Sequence, residues 1–255
     1  MAYVLTVNLP KGGVGKTTTV VNLAAALVQL KQRVLAVDLD PQANLTTALG
    51  VPPTAVVSSV YEVLLHPDII PTYAIQPVSL GWDLLPSEID LAAAEIETAD
   101  LIGRELLLRR ALQSVLDHYD WILIDTPPSM NLFVLNALAA SHAVLVPVQT
   151  QVFALGALDT LDQAMTLVQP LNPRLHLLGL LPTMVNPRRN LHRLVLAQLR
   201  ETYGPLVLQT VIPENVRLAE APLLGVSTLN SAPKSRGALA YRALAVELLQ
   251  RIEAE

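Results

Sequence analysis

The chain has 255 residues, 52% of them hydrophobic but only 4% aromatic, a formal net charge of −5, and no cysteine. That length buries a sizeable core, built here from Leu, Val and Ala rather than rings, which suits a parallel sheet covered on both faces. The lack of cysteine excludes a disulfide framework, a thiolate metal site and an iron–sulfur cluster. The longest apolar stretch, Leu132 to Val148, is interrupted by Asn136, Ser141, His142 and Pro147, so no membrane span is expected.

In chain order, the first strand-like run is Tyr3–Val7, and a helical pattern covers Thr17–Leu30. Between them Gly15, Lys16 and Thr17 end a phosphate-binding loop, although Pro10 stands where the usual pattern has its first glycine. A second lysine, Lys11, precedes Gly12. Glycines 12, 13 and 15 let the backbone turn its N–H groups around phosphate oxygens, at a helix N-terminus that favours anions. Lys11, Gly12, Gly13, Val14, Gly15, Lys16, Thr17 and Thr18 are the expected nucleotide-binding residues. Lys16 would face the outer phosphates, and the Thr17 hydroxyl would coordinate Mg2+. A strand over Arg33–Val37 then ends in Asp38-Leu-Asp40, two carboxylates expected to point the same way.

Val51 to Asp100 is irregular, with six prolines and weak strand signals near Ala74–Val78 and Asp83–Leu85. It reads as an edge elaboration of one domain spanning 1–255. The acidic run from Asp83 to Glu105 is either a solvated helical face or a docking surface for a basic partner segment. Further helices are predicted over Glu105–Leu116, Leu132–Ala139, Leu155–Val168, Asn190–Thr202 and Gly237–Ile252. Further strands are predicted at Trp121–Ile124, Ala143–Val146, Leu175–Leu181 and Leu206–Val211. Asp125, after the Trp121 run, is a single strand-end carboxylate expected to act on Mg2+ from behind its ligands or through water. Strands alternating with helices predict right-handed crossovers and an α/β fold: a mostly parallel, twisted sheet flanked by helices on both faces. The five histidines lack ligand spacing and read as structural or surface residues.

Charge is uneven along the chain. Residues 1–173 carry 7 Lys+Arg against 16 Asp+Glu, whereas residues 174–255 carry 10 against 6. The average argues against a nucleic-acid partner; the C-terminal third alone does not.

Taken together, Lys-Gly-Gly-Val-Gly-Lys-Thr-Thr (11–18), Val-Asp-Leu-Asp-Pro-Gln (37–42), Ile-Asp-Thr-Pro-Pro (124–128), Ile-Pro-Glu-Asn-Val-Arg-Leu-Ala-Glu-Ala-Pro (212–222) and Lys-Ser-Arg-Gly-Ala (234–238) resemble the ParA/Soj group of deviant Walker A P-loop NTPases. The resemblance implies a cytoplasmic, nucleoid-associated partition ATPase. ATP would drive a nucleotide-sandwich homodimer that binds double-stranded DNA non-specifically, and a ParB-type centromere-binding protein would stimulate hydrolysis. By the same resemblance, Lys11 is the signature lysine that reaches the partner's phosphates. Asp40 positions the attacking water, so Lys11, Lys16 and Asp40 are the catalytic set. Thr17, Asp38 and Asp125 surround Mg2+, while Asn186 and Pro213 fall where relatives contact adenine. Arg188 and Arg217 match DNA-binding positions, with Arg189, Lys234 and Arg236 (and Arg193) extending the patch. Pro10 replaces a more usual Gln, and Glu214 stands where several relatives have Arg. A membrane-bound MinD-like reading is rejected because the tail, Glu247 to Glu255, is acidic. A ParA-like ATPase that positions another cargo remains the alternative.

Overall fold

The computed structural model describes residues 1–66, 68–78, 81–150 and 155–254. Among the described residues, seven strands form one sheet: β1 (Tyr3–Val7), β2 (Val34–Asp38), β3 (Gln76–Val78), β4 (Trp82–Leu85), β5 (Trp121–Asp125), β6 (Ala143–Gln149) and β7 (His176–Thr183). Their order is β3-β4-β2-β5-β1-β6-β7, all parallel except the β3–β4 pair. The connection from β5 to β6 crosses over β1, so the ends of β1, β2 and β5 converge where the chain changes direction. Ligands bind α/β sheets at such points.

The helices are α1 (Lys16–Gln29), α2 (Asn44–Ala48), α3 (Val60–Leu65), α4 (Leu91–Glu97), α5 (Leu107–Leu112), α6 (Leu132–Ala140), α7 (Leu155–Val168), α8 (Asn190–Tyr203), α9 (Val216–Glu220), α10 (Thr228–Ser231) and α11 (Arg236–Glu253). The strands sort their side chains by the two-residue period. Leu5, Val7, Val34, Ala36, Trp121 and Leu123 join a core with Val20, Leu23 and Leu27 of α1 and Leu244 and Leu248 of α11. Val4, Leu35, Val37, Ile122 and Ile124 pack on the opposite face with Val63 of α3, Leu91 of α4, Leu108 of α5 and Phe133 of α6. Each fully buried aliphatic side chain contributes about 1.5–3 kcal/mol. Burial on both faces explains why these strands read as continuous apolar runs.

Two expected elements differ. Glu105–Leu116 is not one helix. A 3-10 turn over Arg104–Leu106 precedes α5, and another covers Leu116–His118. At the entrance the Asn136 side chain accepts from the Leu108 amide and donates to the Arg104 carbonyl. At the exit the amides of Val115 and His118 donate to Leu112 and Val115, tightening the chain and burying Val115.

Leu206–Val211 is not a strand either. The amides of Leu208 and Ile212 donate to the carbonyls of Leu180 and Pro182, so the segment follows the β7 edge. Between those contacts the Gln209 and Thr210 amides donate, each at 2.8 Å, to the two carboxylate oxygens of Glu247 on α11. A side chain has taken the place of the ladder. Glu247→Ala should therefore leave two amides without acceptors and destabilise the protein by about 1–3 kcal/mol in urea unfolding. A change below about 0.5 kcal/mol would show that water replaces the carboxylate at no cost.

Candidate functional site

The loop from Asn8 to Gly15 joins β1 to α1. Gly13 and Gly15 have φ of 73° and 96°, the left-handed region that only glycine enters without strain. No side chain caps α1, so its first amides face the loop and are available to an anion. Lys16 is buried, and its Nζ donates to the carbonyls of Leu9 and Lys11 at 3.1 and 3.0 Å. Burial pulls its ammonium below the ordinary lysine range, against the opposing influence of Asp125 and Asp40. Lys11 is half-buried, and its ammonium makes no hydrogen bond or ion pair among the described residues. The loop has a cation held inside it and a second cation free at its rim.

Asp38 and Asp125 lie side by side as partners at the ends of β2 and β5, both fully buried. Asp38 is saturated. It accepts from the Thr46 amide (2.9 Å), the Thr46 hydroxyl (2.8 Å) and the Asp40 amide (3.1 Å). Burial pushes it up to about 6, moderated by those bonds. Asp125 is pushed up to about 8, first by burial and then by the charge of Asp38, with Thr17 and Lys16 opposing. Its Oδ2 accepts from the Thr17 hydroxyl at 2.6 Å, whereas its Oδ1 is buried without a hydrogen-bond partner. An orphaned carboxylate oxygen calls for a proton or a cation. Among the described residues no three His, Cys, Asp or Glu side chains are grouped to hold an ion. Thr17 and Asp125 fit Mg2+, which is commonly held by one or two protein oxygens together with phosphate and water.

Asp40 does not share Asp38's environment, because β2 ends at Asp38 and the chain turns. Its carboxylate accepts from the Gln42 amide and the Asn44 side chain. It lines a cavity of about 300 Å³ with Gly12–Thr18, Asn44, Thr126 and Pro128. A second, largely apolar cavity of about 320 Å³ is lined by Thr183, Ile212, Pro213, Asn215, Leu218 and Tyr241. The two are contiguous, sharing Gly15, Thr18 and Met184. One is shaped for phosphates, the other for a planar base.

Pro213 lines the second cavity. Asn186 does not line either cavity: its Nδ2 donates to Glu214 and its Oδ1 accepts from the Arg188 amide. Met184 is the residue that sequence reading missed. It borders both cavities with φ 53°, a conformation a bulky residue adopts under strain, and strain of this kind gathers at functional sites. His192 is one of the structural histidines the sequence allows for. Buried, its Nδ1 meets the Thr150 hydroxyl and the Asn186 amide, tying the 183–190 segment to the end of β6.

Arg188, Arg189, Arg217, Lys234 and Arg236 are all exposed. Three contacts gather them. Asn186 and Arg189 reach Glu214, just before α9. Arg217 lies on α9 itself. A Cβ on Gly237 would meet Leu218 at 2.8 Å, so the start of α11 sits directly against α9. Glu214 and Glu220 pair with Arg189 and Arg217 and partly offset the charge.

The AAA domain family matches residues 2–177. The chromosome-partitioning ATPase Soj of Thermus thermophilus is 47% identical over 95% of this chain and 94% of its own. The sporulation initiation inhibitor protein Soj of Bacillus subtilis is 44% identical over 97% and 98%. Among solved structures, the cobyrinic acid a,c-diamide synthase of Mycobacterium smegmatis with bound ADP and magnesium superposes with a TM-score of 0.88, at 40% identity over 100% of this chain and 96% of that one. The chain belongs to the ParA/Soj family of deviant Walker A ATPases.

Proposed function

We propose that this chain is a partition ATPase that acts in the cytoplasm on the nucleoid. ATP holds it as a homodimer that binds double-stranded DNA regardless of sequence, and a ParB-type partner stimulates the hydrolysis that releases it. The observation that carries this reading is the double role of α9. One face, through Val216, Leu218 and Ala219, lines the base cavity, while Arg217 points to solvent within the gathered basic residues. Nucleotide and DNA are thereby read by the same short helix.

The amides of residues 12–17 receive the phosphates, and Lys16 exchanges the Leu9 and Lys11 carbonyls for them. Bound Mg2+ neutralises charge on the phosphate oxygens. Thr17 and Asp125 hold it, while Asp38 fixes the turn and α2 through Thr46. Asp40 is oriented by Gln42 and Asn44 to position the attacking water. Lys11, free at the rim, reaches the phosphates held by the second copy and completes the charge neutralisation there.

Lys16→Ala should weaken ATP binding by about 10- to 100-fold, the loss of a charge-assisted contact of roughly 1.5–3 kcal/mol. Lys11→Ala should leave monomer affinity nearly unchanged and abolish ATP-driven dimerisation. Equal losses of affinity for a fluorescent ATP analogue would overturn this division of labour.

Asp40→Ala should bind ATP, dimerise and fail to hydrolyse, giving a trapped state for DNA measurements. In it, unrelated duplexes should bind alike and with a steep salt dependence, because the dimer doubles the phosphates contacted. Adding Arg217→Glu should remove DNA binding and spare the dimer. DNA binding that ignores nucleotide, or that survives Arg217→Glu, would place the DNA surface elsewhere and favour another cargo.

A further inference from the structure

The end of the sheet opposite the nucleotide loop holds a cavity of about 440 Å³ that the nucleotide chemistry does not use. Its walls come from the starts of parallel strands. Val4 lies near the beginning of β1, His142 directly before β6, and Asn172 and Arg174 in the turn before β7. Arg109 on α5 and Ala140, the last residue of α6, close it. Pockets for small ligands occupy roughly 300–1,000 Å³, so the space suffices for a compact metabolite. The length of β1, five residues at about 3.3 Å each, keeps this cavity apart from the phosphate loop.

Local bonding leaves the polar groups of the cavity open. The His142 Nδ1 accepts from the Val4 amide at 2.9 Å, so the ring proton sits on Nε2, a donor with no acceptor among the described residues. Burial is the main influence holding His142 below the ordinary histidine range, and the charges of His176, Arg109 and Arg174 act the same way. Asn172 is only 9% exposed, and its Nδ2 donates to the carbonyls of Leu138 and Ser141 at 3.0 and 2.7 Å. Those two carbonyls fix which end of the amide carries the hydrogens, and they leave Oδ1 as an acceptor with no donor among the described residues. Arg109 gives one N–H to the Leu171 carbonyl at 3.1 Å and keeps the rest of its fork. The Arg174 guanidinium makes no hydrogen bond among the described residues.

The charge around the cavity is one-sided. Neither arginine has an ion pair among the described residues, although residues 1–173 carry 16 Asp+Glu against 7 Lys+Arg. Asp117, the one carboxylate among the described lining residues, is 90% exposed and faces the Met1 amine at 3.7 Å. The last carbonyls of α6, whose partial charge would repel an anion, are covered. That of Ala137 accepts from the Thr6 and Ser141 hydroxyls, and that of Leu138 from Asn172. Two guanidinium groups, a ring donor and an amide acceptor thus converge on one space with no carboxylate to neutralise them.

We infer that this cavity binds a small organic phosphate monoester: Arg109 and Arg174 hold the phosphate, the His142 Nε2–H donates to one of its oxygens, and the Asn172 Oδ1 accepts from a hydroxyl of the organic part. A phosphate dianion offers enough oxygens for two guanidinium forks at once, which a single carboxylate does not. Val4, Leu112 and Ala140 give the body of the ligand an apolar wall. The site is independent of the nucleotide cradle and of the partition reading.

The probe is ribose 5-phosphate, titrated by calorimetry into protein already saturated with ADP and Mg2+, so that the phosphate loop is occupied. It should bind at a single site, weaken as salt rises, and bind about 10-fold more tightly than inorganic phosphate or succinate. Ribose should not bind. Arg174→Gln, at an exposed position whose side chain bonds nothing in the fold, should lower the affinity about 10-fold, and Arg109→Gln likewise, with ADP affinity unchanged in both. His142→Asn keeps an acceptor near the place of Nδ1 for the Val4 amide and removes the Nε2 donor, so it should weaken binding in the same direction. No saturable heat at millimolar ribose 5-phosphate, or affinity that Arg174→Gln leaves untouched, would overturn the site. Succinate binding as tightly as ribose 5-phosphate would overturn the assignment to phosphate. Equal affinity for inorganic phosphate would overturn the organic part. Binding that disappears as ADP and Mg2+ are raised would give the probe to the phosphate loop instead.

Discussion

Two carboxylates buried side by side are the constraint around which this molecule is arranged. Asp38 and Asp125 end neighbouring parallel strands with no exposed surface, where an unpaired ionised carboxylate costs several kcal/mol. The surroundings relieve each in a different way. Asp38 is wrapped by the turn and by Thr46, which fixes α2 over the end of β2. Asp125 has one oxygen on Thr17 and the other on nothing, beside a lysine that burial already discourages from carrying its charge. Such an arrangement is balanced only when a polyanion and a cation enter together. The site is built for that pair and is electrostatically incomplete without it.

Because Asp38 is tied to Thr46, and Thr46 to Ser87, any change at the metal end of β2 is felt in α2, in Asp40 and in the start of α4. On the base side the linkage is packing rather than hydrogen bonding. Leu218 sits against Gly237 and also lines the base cavity, while the Asn22 side chain joins the Thr18 carbonyl on α1 to the Thr228 amide at α10. The C-terminal helices therefore register what happens at the phosphate loop through a few short contacts. On the partition reading proposed above, these contacts would join nucleotide state to the exposed arginines.

Much of this was legible in the sequence. The phosphate loop, the two strand-end carboxylates and the strands of the sheet interior follow from local spacing and apolar runs, and the structure places them where those patterns predict. What escaped is long-range. Leu206–Val211 has the composition of a strand, but a glutamate 37 and 38 residues away takes two of its amides. The helix expected over 105–116 is shortened by Asn136, which no local propensity announces. Asp38 and Asp40 look equivalent on paper and differ because the strand stops between them. Met184 carried no sequence signal, since a left-handed φ on methionine has no local signature.

The buried carboxylates can be tested directly through their protons. For an acid raised from 3.8 to about 8, the folded state keeps its proton while the unfolded state has lost it. The ligand-free fold is therefore destabilised as pH rises across that window. Burial that raises Asp125 in this way should keep it protonated near neutral pH, and binding Mg2+ with ATP should then release that proton. Calorimetric titration with Mg2+ and ATP at pH 7, repeated in buffers of different ionisation enthalpy, counts that release. The account predicts release of most of one proton by the wild type, little by Asp125→Asn, and affinity that climbs with pH up to about 8. A binding enthalpy independent of buffer, with affinity flat from pH 6 to 8, would mean that Asp125 is already ionised and that the site is not organised around its burial.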